Sequence, residues 1–249
     1  MSSKESKTAD KPSKDKKKKK SHVPFPLWYH IWYGAWWIWL RVTAGVMYRM
    51  QYIHSDRIPR KGGLLMISNH QSNFDPPMVG CGVWHPNRYM AKKSLFKNFI
   101  FGTNLKWLGA FPIDRDGVGL EGVKTSLKIL KDGQRLVIFP EGGRTEDGEV
   151  QPFMPGAMML ARRGKTCIVP AAIEGPYDIY PRGCKIPKFW GKIVIGYGEV
   201  IPYEAYKDLS SEELVQLLEK EVRKVHAELC EIPAIKRQRA RRKQKVEAE

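Results

Sequence analysis

Short apolar runs alternate with longer amphipathic stretches through the middle of this 249-residue chain. A short apolar run predicts a buried strand, and apolar positions three and four residues apart predict a helix. The predicted strands are residues 64–68, 88–91, 110–113, 135–139, 167–173 and 192–196. The predicted helices are residues 76–83, 95–108, 118–131, 156–163 and 210–230, the last with Ser210 and Glu213 as a capping box. This alternation predicts one α/β domain, about residues 54–230, with a mixed central sheet flanked by helices.

An aromatic segment, residues 23–53, precedes this domain and has a different pattern. It holds five of the eight tryptophans of the chain, and four of them recur at helical spacing: Trp28, Trp32, Trp36 and Trp39. Trp and Tyr side chains favour the headgroup boundary of a bilayer over its hydrocarbon centre. We therefore expect one or two membrane-associating helices that lie in one leaflet rather than a spanning helix, with some of the rings packed on the protein's own core.

The net charge of +17 is concentrated in two tails. Residues 1–20 contain nine lysines and three acidic residues, and residues 236–249 contain seven Lys or Arg and two Glu. With almost no apolar residues, both ends are predicted to be disordered: a polybasic tail at 1–22 and a basic C-terminal tail at 231–249. Such tails bind nucleic acid or anionic membranes, or are merely solvated. The polylysine run beside the aromatic segment favours an anionic membrane surface, so we expect no nucleic acid partner.

Four cysteines show no paired spacing, and none lies near a cluster of histidines. This pattern indicates buried thiols in a reducing, cytosolic setting. It also shows no cluster of metal ligands, so neither a metal nor another cofactor is expected.

A histidine and an aspartate, His70 and Asp75, follow the first predicted strand and stand five residues apart. On a continuous helix their side chains would diverge by about 140°. Pro76 and Pro77 instead indicate that a helix begins here, with Asp75 as its N-cap and His70 in the preceding turn. A turn can fold the imidazole onto the carboxylate, which would then orient a general base. Without further signals, such a pair is more often two ordinary turn residues.

A glycine-rich stretch, Phe139–Thr145, follows another predicted strand, at the end where α/β sheets bind ligands. Gly142 and Gly143 let backbone N–H groups approach an anion, and Arg144 has a planar fork that suits phosphate oxygens. Taken alone, such a stretch is more often an ordinary glycine turn with a surface arginine.

Two more cations stand at predicted strand ends. Arg115 follows strand 110–113, where a salt bridge to Asp114 or Asp116 is the alternative role, and Lys92 and Lys93 follow strand 88–91. Pro170 lies inside strand 167–173. Because proline lacks a ladder donor, it indicates an edge strand or a bend that faces a ligand.

Taken together, these stretches resemble one family, the PlsC-like glycerolipid acyltransferases typified by 1-acyl-glycerol-3-phosphate acyltransferase. The resemblance covers about residues 54–205 and rests on four motifs in order: N-H-x4-D at Asn69, His70 and Asp75; I-D-R at Ile113–Arg115; F-P-E-G-x-R at Phe139–Arg144; and V-P at Val169–Pro170. Two positions depart from the family pattern, since Gly143 stands where many members have Thr or Ser, and Pro112 stands where an apolar residue is usual.

The resemblance implies an enzyme that acylates the sn-2 hydroxyl of lysophosphatidic acid and forms phosphatidic acid at the cytoplasmic face of the membrane. The donor would be an acyl thioester, either acyl-CoA or acyl-carrier protein. His70 would remove the hydroxyl proton and Asp75 would orient His70. The remaining roles would be phosphate binding by Lys92, Arg115 and Arg144, shaping of the phosphate pocket by Glu141 and Gly142, and lining of the acyl side by Pro170.

Three alternatives stay open from the sequence. A chain with the same fold and chemistry could use another lysophospholipid or glycerol 3-phosphate as acceptor. A non-catalytic module that binds anionic membranes would explain the tails and tryptophans, but not the base–acid pair. A metal-dependent hydrolase with His70 and Asp75 as ligands would need a third ligand nearby.

Overall fold

Seven strands form one sheet in the computed structural model of the protein, which describes residues 27–113 and 119–248. They are β1 Gln51–Ile53, β2 Leu64–Ser68, β3 Asn87–Lys92, β4 Ala110–Ile113, β5 Arg135–Ile138, β6 Cys167–Glu174 and β7 Val194–Tyr197. The strand order is β1-β7-β6-β2-β5-β3-β4, and every pair is parallel except β6 and β7. The predicted mixed sheet of an α/β fold is therefore confirmed.

The helices of the described residues cover both faces of this sheet. They are α1 Leu27–Tyr48, α2 Asp75–Gly80, α3 Phe99–Trp107, α4 Leu120–Lys131, α5 Pro155–Gly164, α6 Pro176–Ile179, α7 Ser211–Cys230 and α8 Pro233–Ala248. Ser210 caps α7 in the predicted capping box: its hydroxyl accepts from the Glu213 amide, and the Glu213 carboxylate accepts from the Ser210 amide.

The central strand β2 divides the core between the two faces. Its side chains are fully buried, and they alternate because successive residues of a strand point to opposite faces. Leu64 and Met66 pack with Tyr48 of α1, whereas Leu65 packs with Leu218 of α7. Strand β2 is paired on both sides, with β5 and β6, so its carboxyl end opens between the ends of two other parallel strands.

The described part of the aromatic segment, residues 27–53, forms one helix, α1, followed by the short strand β1, which the sequence pattern did not predict. β1 pairs with β7, so it joins the sheet through a partner more than a hundred residues away. The tryptophans do not share one environment. Trp28 and Trp39 are exposed, whereas Trp32 packs edge-on against Trp107. Within the described ranges 27–113 and 119–248, no helix is long and apolar enough to cross a membrane.

The predicted disorder of the basic C-terminal tail is wrong for residues 233–248, which form α8. Ile235 is fully buried against Val225 and Leu229 of α7, and Arg239 and Arg242 turn inward to carboxylates of the domain. A polar composition concealed a helix whose inner face is fixed by one apolar side chain and two ion-paired arginines. The boundaries predicted for the α/β domain, near residues 54 and 231, thus fall between elements that pack together. The predicted polybasic tail, residues 1–22, lies outside the described residues.

We expect Ile235→Ala to lower the free energy of unfolding by about 2–5 kcal/mol, because it removes a fully buried side chain from the contact between α7 and α8. Ile186→Ala is the matched control, since Ile186 is exposed and its truncation should change stability by about 0.5 kcal/mol or less. Urea denaturation followed by circular dichroism measures both. Equal midpoints for the two variants would contradict the docking of α8.

Candidate active site

The turn between β2 and α2 brings His70 and Asp75 together, as the proline-marked helix start predicted. His70 Nδ1 lies 2.8 Å from Asp75 Oδ2. Asp75 is fully buried, and the same oxygen also accepts hydrogen bonds from the backbone amides of Gln71 and Ser72. The predicted N-cap role is wrong: Asp75 is the first residue of α2, and its carboxylate satisfies the preceding turn instead of the helix.

Burial raises the pKa of Asp75, and the hydrogen bonds from His70, Ser72 and Gln71 act in the opposite direction by favouring the carboxylate. The three donors converge on one oxygen from the same turn. The carboxylate therefore fixes the backbone conformation of the turn and the orientation of the imidazole at the same time.

The ring of His70 is held on one face and partly open to solvent. It stacks on Phe139 with 4.3 Å between ring centroids, and 18% of its side chain is accessible. Among the described residues none hydrogen-bonds to Nε2, the ring nitrogen opposite Asp75. With Nδ1 engaged by the carboxylate, Nε2 is the atom that can exchange a proton with a bound molecule.

The residues on either side of His70 are anchored to β6. Asn69 exchanges two hydrogen bonds with the backbone of Ile173, at 3.0 and 2.9 Å, and so extends the pairing of β2 with β6 by side-chain contacts. Gln71 donates to the Glu174 carboxylate at 2.9 Å and to the Gly148 carbonyl at 2.8 Å. The histidine thus sits on a backbone that is fixed before and after it.

Glu174 is the centre of a buried network that sequence reasoning missed. Its Oε2 accepts from Gln71, lies 2.6 Å from His226 Nε2 on α7 and accepts from Arg239 on α8 at 3.1 Å. Arg242 lies 3.8 Å from the other carboxylate oxygen. We call these five residues the Glu174 network. The sequence did contain one signal for it: Glu174 is a carboxylate at the carboxyl end of an otherwise apolar strand, where α/β sheets bind ligands.

The network explains a cluster whose spacing alone would suit a metal ion, formed by Glu174, His226 and Cys230. The guanidinium of Arg239 already places a positive charge against the carboxylate oxygen that faces His226. Burial disfavours the charged imidazole, but hydrogen bonds to Cys230 and Glu174 outweigh it and raise the pKa of His226 to about 9. The cluster is a set of ion pairs that joins α7 and α8 to the turn of His70.

The glycine-rich stretch after β5 lies against the same turn. The Thr145 amide donates to the His70 carbonyl at 2.8 Å, and Glu141 Oε2 accepts from the His70 amide at 3.2 Å. Gly142 has φ of 74°, a left-handed conformation that favours glycine over residues with a Cβ. Burial raises the pKa of Glu141 to about 8. Burial thus favours the neutral form of this carboxyl beside the turn, against the backbone amides of His70 and Gln151, which favour the carboxylate.

The structure describes two of the three predicted phosphate-binding cations, Arg144 and Lys92, and their strands lie at different distances from β2. Arg144 follows β5, the strand next to β2, and within the described residues its guanidinium forms no ion pair with a carboxylate. Lys92 is exposed at the end of β3, two strands from β2 and about 10 Å away in strand spacing. Arg115 follows β4 by two residues and lies outside the described residues.

Pro170 is not at an edge and does not form a bend: it is buried within β6, in register with Ile67 of β2. Proline lacks an N–H, and this is tolerated because the regular pairing of β6 with β7 ends at Ala171, next to Pro170. Gly198 donates to the Pro170 carbonyl at 2.8 Å, and pairing resumes at Ile168 with Ile201. The partner strand therefore has one extra residue there, a bulge that does not need the proline N–H.

A family model described as Acyltransferase matches residues 49–174, which include the turn, the glycine-rich stretch and the end of β6. The chain belongs to the acyltransferase family. This family membership confirms the resemblance inferred from the four motifs, and the acyltransferase is thus an enzyme. The match ends at Glu174, so α7 and α8, which supply His226, Arg239 and Arg242, lie beyond it.

Two relatives and one solved structure are similar to this acyltransferase. A Bacillus subtilis 1-acyl-sn-glycerol-3-phosphate acyltransferase is 36% identical over 138 residues, which are 55% of this chain and 68% of that protein. A Streptococcus pneumoniae protein of the same name is 33% identical over 51% of this chain, and the match spans about half, 48%, of its length. The crystal structure of the LPA acyltransferase PlsC from Thermotoga maritima shares the fold, with a TM-score of 0.65, 24% identity, and coverage of 80% of this chain and 77% of that one.

The Glu174 network makes a pH-dependent contribution to stability. Because the folded pKa of His226 is raised to about 9 from 6.5, the contribution is complete below about pH 6.5 and is lost as the pH rises towards 9. We expect the thermal midpoint of the native chain to fall over that interval and that of His226→Gln to change much less.

His54→Asn is the control for this experiment, since His54 is exposed, outside the network, and in a left-handed conformation that Asn also adopts. A pH dependence that is the same in all three proteins would show that His226 is neutral in the folded state. Calorimetry between pH 6 and 9.5 distinguishes the two results.

Proposed function

We propose that this acyltransferase transfers a fatty acyl group from acyl-CoA or acyl-carrier protein to the sn-2 hydroxyl of 1-acyl-glycerol-3-phosphate. The product is phosphatidic acid, a step of phospholipid biosynthesis. The observation that carries the proposal is the His70–Asp75 pair at 2.8 Å, held beside a glycine-rich stretch that carries the half-buried Arg144. The names of the relatives, which act on the same acceptor, support it.

The chemistry needs a base next to the acceptor and no exchange of electrons with a cofactor. His70 Nε2 takes the proton of the acceptor hydroxyl while the hydroxyl oxygen forms a bond to the carbonyl carbon of the thioester. The carbon–sulfur bond then breaks, and the leaving thiolate takes the proton from His70. Asp75 holds Nδ1 throughout and stabilises the transient imidazolium, a role that a buried carboxylate with three fixed donors suits well.

Arg144 is the cation best placed for the acceptor phosphate, because it follows the strand adjacent to that of His70. Glu141 and Gly142 would form the wall of the same anion site, and the raised pKa of Glu141 reduces charge repulsion there. Lys92 ends a strand two positions from β2, so we assign it a supporting role towards the phosphate, and we propose the same role for Arg115 from its place in the I-D-R motif. The buried position of Pro170 gives no support for contact with the acyl chain.

We propose that the enzyme works at the cytoplasmic face of the membrane, with α1 as its contact. Six large apolar side chains of α1 are exposed, and at 100° per residue they fall within about a third of the helix circumference. They are Trp28, Ile31, Ile38, Trp39, Val42 and Val46. The opposite face carries Tyr29, Tyr33 and Tyr48, which are buried on the domain. An apolar stripe with tryptophan at both halves is typical of a helix that lies in the interface.

His70→Ala should reduce thioester consumption by roughly 10²–10⁴-fold while vesicle binding persists, because it removes the base and leaves α1 intact. Asp75→Asn should lower kcat by a similar factor with little change in KM, because Asn cannot stabilise the imidazolium. His85→Ala, at an exposed histidine, is the control and should retain activity. Free thiol released from acyl-CoA measures each rate, and full turnover by His70→Ala would exclude the general-base role.

A panel of acceptors tests the substrate. We expect turnover with lysophosphatidic acid, and a rise in KM of about tenfold or more for monoacylglycerol, which keeps the hydroxyl and lacks the phosphate. Arg144→Gln should remove most of that difference between the two acceptors. Preferred turnover of glycerol 3-phosphate or of a lysophospholipid with a larger head group would reassign the acceptor. Vesicle binding with no thioester consumption by any acceptor would favour the non-catalytic module.

A further inference from the structure

A second exposed apolar surface lies far from α1 in sequence, in residues 181–191 between α6 and β7, which we call the aromatic loop. Three large apolar side chains within five residues of this loop are mostly exposed: Ile186 at 71%, Phe189 at 66% and Trp190 at 71%. Scattered exposed apolar residues are normal, but three large ones within five residues of one loop mark a contact surface.

The charges of the aromatic loop are all positive. Arg182, Lys185 and Lys188 are exposed, and no acidic residue occurs between Pro181 and Gly191. Two acidic residues lie beside the loop: Glu146 pairs with Arg182 at 3.0 Å, and Asp178 offers its carbonyl to Lys188. Lysines interleaved with an exposed Phe and Trp suit an anionic bilayer surface, where rings enter the headgroup boundary and cations remain at the phosphates.

The loop begins at the turn that carries His70. The Tyr180 carbonyl accepts from Ser72 at 2.8 Å, and the Tyr180 ring lies 5.0 Å from that of Phe74. Both partners stand between His70 and Asp75 in the turn. The loop therefore begins directly after Tyr180, whose ring packs on the turn of the candidate active site.

The loop ends at the carboxyl end of α1. Ile193 donates to the Tyr48 carbonyl at 3.1 Å, and Lys192 Nζ donates to the Arg49 carbonyl at 2.7 Å. Exposed Val46, the last member of the α1 stripe, is two residues from Tyr48. The loop thus bridges the His70 turn and the end of the α1 stripe.

We propose that the aromatic loop is a second bilayer contact, which inserts Phe189, Trp190 and Ile186 among anionic headgroups so that the His70–Asp75 turn lies between two membrane-bound elements. This inference rests on the proposed function, because it names the lipid surface as the partner of this loop. It gives the lipid acceptor a direct path from the bilayer to His70, between α1 and the loop.

Cys184 offers a reporter within the loop, since it is exposed while Cys81 is buried. We would label Cys184 with an environment-sensitive NBD maleimide after replacing the two half-buried cysteines by Cys167→Ala and Cys230→Ala. On vesicles of phosphatidylcholine with 30% phosphatidylglycerol, roughly the charge of an anionic leaflet, we expect a blue shift and quenching by spin-labelled lipid. Vesicle-bound protein whose label shows neither change would overturn the proposal.

Phe189→Ser together with Trp190→Ser should weaken partitioning into the same vesicles by about tenfold or more, given the apolar area removed. The control is Leu120→Ser: Leu120 is 80% exposed on α4, which packs on the other face of the sheet, and we expect no loss. Unchanged partitioning of the double variant into vesicles would overturn the proposal. So would a second result: a native dimer in gel filtration that the double variant loses while it still binds vesicles. That result would show that the loop is a contact between two copies of the chain.

Turnover with a short-chain, monomeric lysophosphatidic acid separates this inference from the proposed function. The double variant should match the native rate on that soluble acceptor and lose activity only on vesicle-borne acceptor. No turnover by the native protein would contradict the proposed function, whereas equal losses on both acceptors would show that the loop shapes the site rather than contacting the membrane.

Discussion

The carboxylate of Asp75 is the interaction on which the site depends. One buried oxygen accepts from the His70 ring and from two backbone amides of the same turn, so the turn cannot adopt its conformation without orienting the imidazole. A buried carboxylate is costly unless its donors are fixed, and here they come from residues three to five positions away along the chain. The entropic cost of bringing these donors to the carboxylate is small, because none of them comes from a distant part of the chain.

The sheet then supplies what a local turn cannot. Parallel strands β6, β2 and β5 end together, which brings Glu174 against Gln71 and the glycine-rich stretch against the backbone of His70. Helices α7 and α8 close the arrangement from outside the region shared with the acyltransferase family, by neutralising Glu174 with one histidine and two arginines. The turn of His70 is therefore positioned partly by a basic C-terminal helix.

Local signals were readable from the sequence, and distant ones were not. Two prolines after Asp75 predicted the turn and its contact, and apolar runs predicted most strands of the sheet. The three residues of β1, the inward arginines of α8 and the partnership of Gln71 with Glu174 depend on segments about a hundred residues apart, for which composition carries no signal. The prediction that Pro170 marks an edge strand or a bend was wrong, because a bulge in the partner strand also accommodates a proline inside a sheet.

The proposed mechanism requires that Asp75 holds the proton of His70 on Nδ1, which leaves Nε2 as the base. Nitrogen NMR of the neutral His70 ring, with the signal assigned by loss in His70→Ala, measures the tautomer directly. We predict a protonated Nδ1 and an unprotonated Nε2 in the native chain, and a shift towards the other tautomer in Asp75→Asn. A native ring protonated on Nε2, or a tautomer that Asp75→Asn leaves unchanged, would contradict the account.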